Sequence, residues 1–191
     1  MQIDFDSENH QYKVDGQQRP SVTQVLSIAN SYKWVNKNIL DKAGKFGTAV
    51  HKATELYDHN NLNMESLAVV LIPYLEGWKQ FLADTSFRII EIECQVASKL
   101  GYAGTFDRLG YLDNKLTLVD IKTSTVVPKT TALQLAAYAH AYEEIYKKRI
   151  QQRISVQLKP CNYMITNYSN PTDFLTFMNF LTVYKWVNNE Y

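Results

Sequence analysis

Cysteine is scarce in this chain: Cys94 and Cys161 are the two in 191 residues, and they lack the paired spacing of a metal site. That excludes a disulfide framework, a structural zinc site and an iron–sulfur cluster, and it leaves both thiols as expected small core residues. Glycine and proline are also few, 7 and 5, which excludes collagen-like and Pro/Gly-rich disordered classes. No run approaches the roughly 18 to 20 apolar residues of a membrane helix. The opening MQIDFDSENHQ is too acidic and polar for a targeting segment, so the expectation is a soluble, cytoplasmic protein without a membrane partner. Surplus charge is missing as well: 20 Lys and Arg face 19 Asp and Glu, a net charge of +1 that does not by itself select a nucleic-acid partner.

What is present is a globular composition, 46% hydrophobic and 20% charged. The length suits one domain, and no repeat, low-complexity tract or Gly/Ser linker divides it. The stretch IDFDSENHQYKVDG alternates and turns, predicting a hairpin that ends at Asp15-Gly16. Pro20 and Ser21 then open a helix, and helical patterns follow over about 44–60 and 64–84. FRIIEIECQV alternates, with Ile90, Ile92, Cys94 and Val96 on one side and Glu91, Glu93 and Gln95 on the other; YAGTFDRLGYL and KLTLVDIKT are two more strands. A helix from Thr130, two strand-like pieces (RISVQLKP and NYMITNY) and a helix from Pro171 complete the order. The class is α/β (α+β), a mixed sheet layered with helices.

Charge is uneven along the chain. Between Tyr32 and Lys52, five lysines (Lys33, Lys37, Lys42, Lys45, Lys52) meet one acid, Asp41. A second basic cluster, Lys147, Lys148, Arg149 and Arg153, follows a predicted helix. A solvated helix face explains the first run equally well, and a solvated helix end explains the second better.

The sharpest feature is a pair of acids. Asp113-Asn114 suits a two-residue hairpin turn, and the register it implies sets Leu109 against Leu118 and Asp107 against Asp120. Facing carboxylates repel. Lys122, two residues after Asp120 and therefore on the same face, would sit opposite Thr105 and offset one charge. A divalent cation with hard oxygen ligands, Mg²⁺ or Mn²⁺, answers the repulsion more fully. The alternative is a set of strand-end charges reaching solvent, with Lys122 a simple ion-pair partner. Two helices offer more groups: Gly47, His51 and Glu55 share one helical face, and Gln134, Tyr138 and Tyr142 another.

Taken in order, GTAVH, GTFD, Asp120-Ile121-Lys122 and QLAAY resemble the motif series of the PD-(D/E)XK nuclease superfamily. The resemblance is to its RecB-type exonuclease branch, with the mitochondrial genome maintenance and small phage exonucleases, and it spans about Pro20 to Tyr142. It implies a restriction-endonuclease-like core at 44–168, with a hairpin and helices at 1–43 and a helix at 169–191. It also implies that His51, Asp107, Asp120 and the Ile121 carbonyl are metal ligands and that Lys122 is the catalytic lysine. Gln134 and Tyr138 would support the site and contact nucleic acid, Ser21 and Thr23 would touch a DNA strand, and Glu55 would orient His51. Glu93, one strand before Asp107, is a further candidate for the same cavity. DNA grip is expected from Lys45, Lys52 and their neighbours, with Tyr32 and Trp34 as stacking platforms. The four cysteines of iron–sulfur relatives and the GxxxxGK[ST] loop of helicase-linked ones are missing, so neither a cluster nor ATP is implied.

The function so implied is a metal-dependent DNA exonuclease, using Mg²⁺ or Mn²⁺, in phage or prophage DNA recombination, replication or repair. A recombinase or single-strand binding protein is the expected partner. The alternatives are a structure-specific or nicking endonuclease with the same core, and a catalytically silent DNA-end binding module.

Overall fold

A computed structural model describes residues 1–29 and 37–189, with the side chain of residue 37 set aside. Tyr32, Lys33 and Trp34, the expected stacking and basic residues, lie outside the described residues, as does the Lys37 side chain.

Three short strands, β1 (Ile3–Asp6), β2 (Gln11–Val14) and β3 (Gln17–Arg19), form an antiparallel meander. The expected hairpin thus gains a third strand, because the Asp15-Gly16 turn, both residues at positive φ, folds the chain back once more. Helix α1 (Val22–Leu26) follows, then α2 (Lys37–Asp58), α3 (Ile72–Thr85), and the strands β4 (Arg88–Ser98), β5 (Tyr102–Leu112) and β6 (Lys115–Lys122). Helix α4 (Thr130–Tyr146), β7 (Gln152–Lys159), β8 (Asn162–Asn167) and α5 (Asp173–Val187) complete the order. The predicted 64–84 helix is divided: two 3₁₀ turns, Met64–Ser66 and Val69–Leu71, precede α3. Pro73 suits the start of α3, since its missing N–H goes unpaired in the first turn of a helix.

The five larger strands form one mixed sheet in the order β4-β5-β6-β7-β8; β6 and β7 are parallel, joined through α4, and the other pairs are antiparallel. The predicted register of β5 and β6 is present, with Leu109 opposite Leu118 and Leu112 opposite Lys115. Asp113 and Asn114 both take positive φ, 48° and 61°, as that turn type requires.

Apolar residues divide between the two faces of the sheet. Leu116, Leu118, Val96 and Phe106 pack with α1, α4 and α5; Val119, Ile121, Ile154 and Val156 pack with α2 and α3 through Val50, Trp78 and Phe81. Tyr12 and Val14 join the meander to Ala97 and Ala103 at the β4–β5 end. Helix α2 turns Phe46, Val50 and Tyr57 inward at helical spacing. Among the described residues no helix is long and apolar enough to cross a membrane.

Two sequence expectations fail locally. β4 does not alternate cleanly: its register shifts between Ile89 and Glu91, so Ile90 is exposed while Cys94 packs beside the α4 core. A bulge adds a residue and reverses which side chains point inward. Nor is Cys161 a core residue; it is exposed in the β7–β8 turn.

Candidate active site

The β5–β6 ladder stops one step short of the two aspartates. Its last pair is Arg108 opposite Val119, after which the strands part, so Asp107 and Asp120 are not ladder partners and Thr105 does not pair with Lys122. The sequence register extrapolates a regular ladder past this point and misses the divergence. The Asp107 carboxylate fills the gap, its Oδ2 accepting the Ile121 N–H at 2.6 Å.

Around this fork the structure gathers most of the expected residues. His51, on α2, places Nδ1 3.3 Å from Asp107 Oδ1. Lys122 Nζ donates to Asp120 Oδ1 at 2.9 Å and to Gln134 Oε1 at 3.3 Å, and lies 2.8 Å from Asp120 Oδ2. Gln134 Nε2 donates in turn to the Tyr138 hydroxyl, 3.4 Å away. Tyr138 reaches this position because Gly104 has no side chain: a Cβ there would stand 2.5 Å from Tyr138 Cε1. The glycine of GTFD is therefore a packing requirement of α4 on β5. On the far side of Lys122, Gln157 Nε2 donates to the carbonyls of Ser124 and Thr125 and fastens the loop leaving β6. Gly47, one turn before His51, lets α2 approach that loop at Thr123.

One ligand atom from each of His51, Glu93 and Asp107 falls within 4.8 Å of the others. Glu93 thus joins the central group, and Asp120 stands beside it, its oxygens turned to Lys122. Glu93 has a backbone φ of 48°, a left-handed conformation that a glutamate in a strand does not choose unaided.

Other expected residues lie elsewhere. Glu55 accepts from Lys52 at 2.7 Å, so its observed partner is the exposed lysine and not His51. Ser21 is buried and caps α1, its Oγ accepting the Gln24 N–H while Gln24 Oε1 accepts the Ser21 N–H. That reciprocal capping box gives Ser21 a structural task; Thr23 is exposed and bonds the Ser21 hydroxyl at 3.0 Å. Lys42, Lys45 and Lys52 are exposed along α2. In the second basic cluster, Arg153 pairs with Asp173 at 3.0 Å and ties β7 to α5.

The electrostatics show a site short of positive charge. Burial, reinforced by the negative charge of Asp107, pushes the Glu93 carboxyl up to about 7 despite Arg108. Burial and Asp107 also raise Asp120, against the pull of Lys122. Asp107 moves the other way: the cost of its burial is outweighed by His51 and Lys122, which hold it below the usual carboxylate range. Burial would lower His51, but the Asp107 and Asp120 charges overcome it and raise the imidazole to about 9. Lys122 stays an ammonium for the same reason, its desolvation outweighed by Asp120 and Asp107. In addition, Asp120 Oδ2 is buried and is held 2.8 Å from the Lys122 ammonium. An imidazole and clustered carboxylates are a donor set suited to a divalent cation.

A mixed sheet that opens where it carries two aspartates and a lysine, flanked by helices on both faces, is a restriction-endonuclease-like architecture. Residues 64–162 match the family model of the PD-(D/E)XK nuclease superfamily, more than half of the chain, and the chain belongs to that superfamily. The matched span holds Glu93, Asp107, Asp120, Lys122, Gln134 and Tyr138 and begins after α2, which supplies His51. No curated protein matches the chain. Solved structures do, among them one titled "Crystal structure of SSO0001", with 14% identity, a TM-score of 0.44 and coverage of 87% of this chain and 84% of that one.

Sequence reasoning missed Arg108, the most buried charged residue beside the site, together with its partners Thr54, Asp58 and Trp78. A signal was present: an arginine inside a strand as apolar as YAGTFDRLGYL requires buried partners.

Proposed function

We propose that this protein is a metal-dependent DNA exonuclease of the PD-(D/E)XK superfamily. The observation that carries the reading is the convergence of Asp107, Asp120 and Lys122 with His51 at the open end of β5 and β6. Glu93, His51 and Asp107 are the residues that would hold the ion, with Asp120 and the Ile121 carbonyl as neighbouring donors. A divalent cation bound there supplies Lewis acidity, acidifying water and offsetting charge on a phosphoryl group. Lys122 holds its ammonium over the same site, where it binds a scissile phosphate oxygen or the attacking water and stabilises negative charge as it develops. Asp120 and Gln134 fix its direction. The Tyr138 ring, packed on Gly104, supports Gln134, and the loop secured by Gln157 forms one wall. Exposed Lys42, Lys45 and Lys52 on the His51 helix provide charge for the DNA backbone. A role in phage or prophage recombination, replication or repair, beside a recombinase or single-strand binding protein, suits a small nuclease of this kind, and the imidazole favours activity with Mn²⁺ at least equal to that with Mg²⁺.

The test is a time course on DNA labelled at each end in turn, with Mg²⁺ or Mn²⁺, beside circular single-stranded and supercoiled DNA. Progressive loss from an end with both circular forms intact is the expected result. Nicking of the supercoiled form makes the protein an endonuclease, and activity that survives excess EDTA removes the metal from the mechanism.

A further inference from the structure

We propose that Arg108 is a positioning residue, whose guanidinium aims the Glu93 carboxylate and holds together the three elements that bring His51, Glu93 and Asp107 to one divalent cation. The proposal rests on the metal-dependent reading above and adds to it a residue outside the ligand set.

Arg108 is fully buried, with a relative exposure of 0%, and its donors reach the three elements that carry His51, Glu93 and Asp107. Nη1 donates to Glu93 Oε1 on β4 at 3.1 Å and to the Asp107 carbonyl on β5 at 2.7 Å. Nε donates to Asp58 Oδ2 at 2.7 Å and Nη2 to Thr54 Oγ1 at 3.2 Å, both on α2. Thr54 Oγ1 itself donates to the His51 carbonyl at 2.9 Å, so the network continues into the turn that carries the imidazole. Trp78, from α3, closes the arrangement: its Nε1 donates to Asp58 Oδ1 at 2.9 Å, and its ring centroid lies 5.7 Å from the guanidinium carbon.

Two physical points favour positioning over simple stability. Replacing a buried ion pair with apolar groups of the same shape is often neutral or stabilising, so burial of this charge is poorly explained as a source of fold stability. Glu93 also has a left-handed backbone, φ 48°, which persists where surroundings over-determine it, and such residues cluster at functional sites. The hydrogen bond from Arg108 Nη1 fixes its side chain. A planar fork with fixed donor directions can serve β4, β5 and α2 at once, whereas a lysine is a single point charge.

The experiment measures Mn²⁺ affinity without DNA, by electron paramagnetic resonance of the free ion, for wild type, Arg108→Lys, Glu93→Gln and the double variant. Circular dichroism establishes that each is folded. Arg108→Lys should weaken Mn²⁺ binding about 10- to 100-fold, the range for groups that orient metal ligands, and should cost clearly less in the Glu93→Gln background, where only its hold on α2 and β5 remains. An unchanged affinity in Arg108→Lys, or the same fold-loss with Glu93 already replaced, overturns the positioning role. Should Arg108→Lys fail to fold, Asp58→Asn, which leaves Arg108 in place and weakens its anchor, takes its position in the same cycle under the same criteria. A wild type that binds no Mn²⁺ overturns the metal reading itself, a result distinct from binding that is indifferent to Arg108.

Discussion

Lys122 contacts Asp120 and Gln134, and both contacts serve to aim an ammonium. Lys122→Ala should therefore bind DNA with near wild-type affinity and lose cleavage by at least about 10²- to 10³-fold, the usual cost of one charge-stabilising donor; single-turnover kinetics beside a binding assay separate the two. Titration at the site has a definite sign. Both Glu93, raised from 4.5 to about 7, and His51, raised from 6.5 to about 9, hold protons more tightly in the folded state. Their contribution to the metal-free fold is complete below those unfolded values and is lost as pH rises through about 7 and then about 9. The metal-free protein should melt at lower temperature at pH 9.5 than at pH 6, and His51→Gln should flatten the upper part of that decline. Mn²⁺ affinity should run the opposite way, rising with pH over the same interval because the ion competes with those protons; calorimetry in buffers of different ionisation enthalpy would count the protons released.

At the scale of elements, local pattern and close approach decide what is readable in a sequence. The β5–β6 register was legible because Asp113-Asn114 suits one turn type and alternation does the rest. Where the ladder ends was not, because Asp107 there turns to the Ile121 amide and to His51, contributed from a helix more than fifty residues earlier. The three-dimensional role of Arg108 was hidden for the same reason: Thr54 and Asp58 are a helix away, and Trp78 a further one. Lys122 was legible from its spacing to Asp120 and His51 from its helix face, with their roles supplied by motif resemblance, whereas the closeness of Glu93 to Asp107 came from strand adjacency, and its left-handed backbone had no local signal. Gly104 shows a short-range letter with a long-range cause. Replacing it with alanine drives a methyl into the Tyr138 ring, an overpacking that should cost about 1–3 kcal/mol of stability. Denaturant melts would measure that cost, and cleavage should fall further than stability alone explains, since Gln134 depends on Tyr138.

For the whole molecule, the sheet separates two cores and presents the site at one end of its central strands, with the lysine-bearing face of α2 alongside. If phosphates on DNA meet Lys42 and Lys45, affinity falls steeply with salt, and the log–log slope shrinks by about 1 for each such contact removed. A Lys42→Ala/Lys45→Ala variant should thus bind more weakly at low salt and show a shallower slope in fluorescence anisotropy titrations. A slope identical to wild type would move the DNA path off this helix. Layer order and the central acids were visible from composition and alternation, whereas the path of a substrate depends on surfaces that no periodicity records.

The Asp107 carboxylate takes the place of a strand partner for the Ile121 amide, and this makes one proton a spectator of the chemistry beside it. Its exchange with solvent is governed by a side chain, while the amides further down β6 depend on backbone pairing. In Asp107→Ala the Ile121 amide should exchange faster with Val119 little changed, and titrating Mg²⁺ into the wild type should shift the Ile121 resonance first, so that nuclear magnetic resonance can follow occupancy of the centre without any substrate.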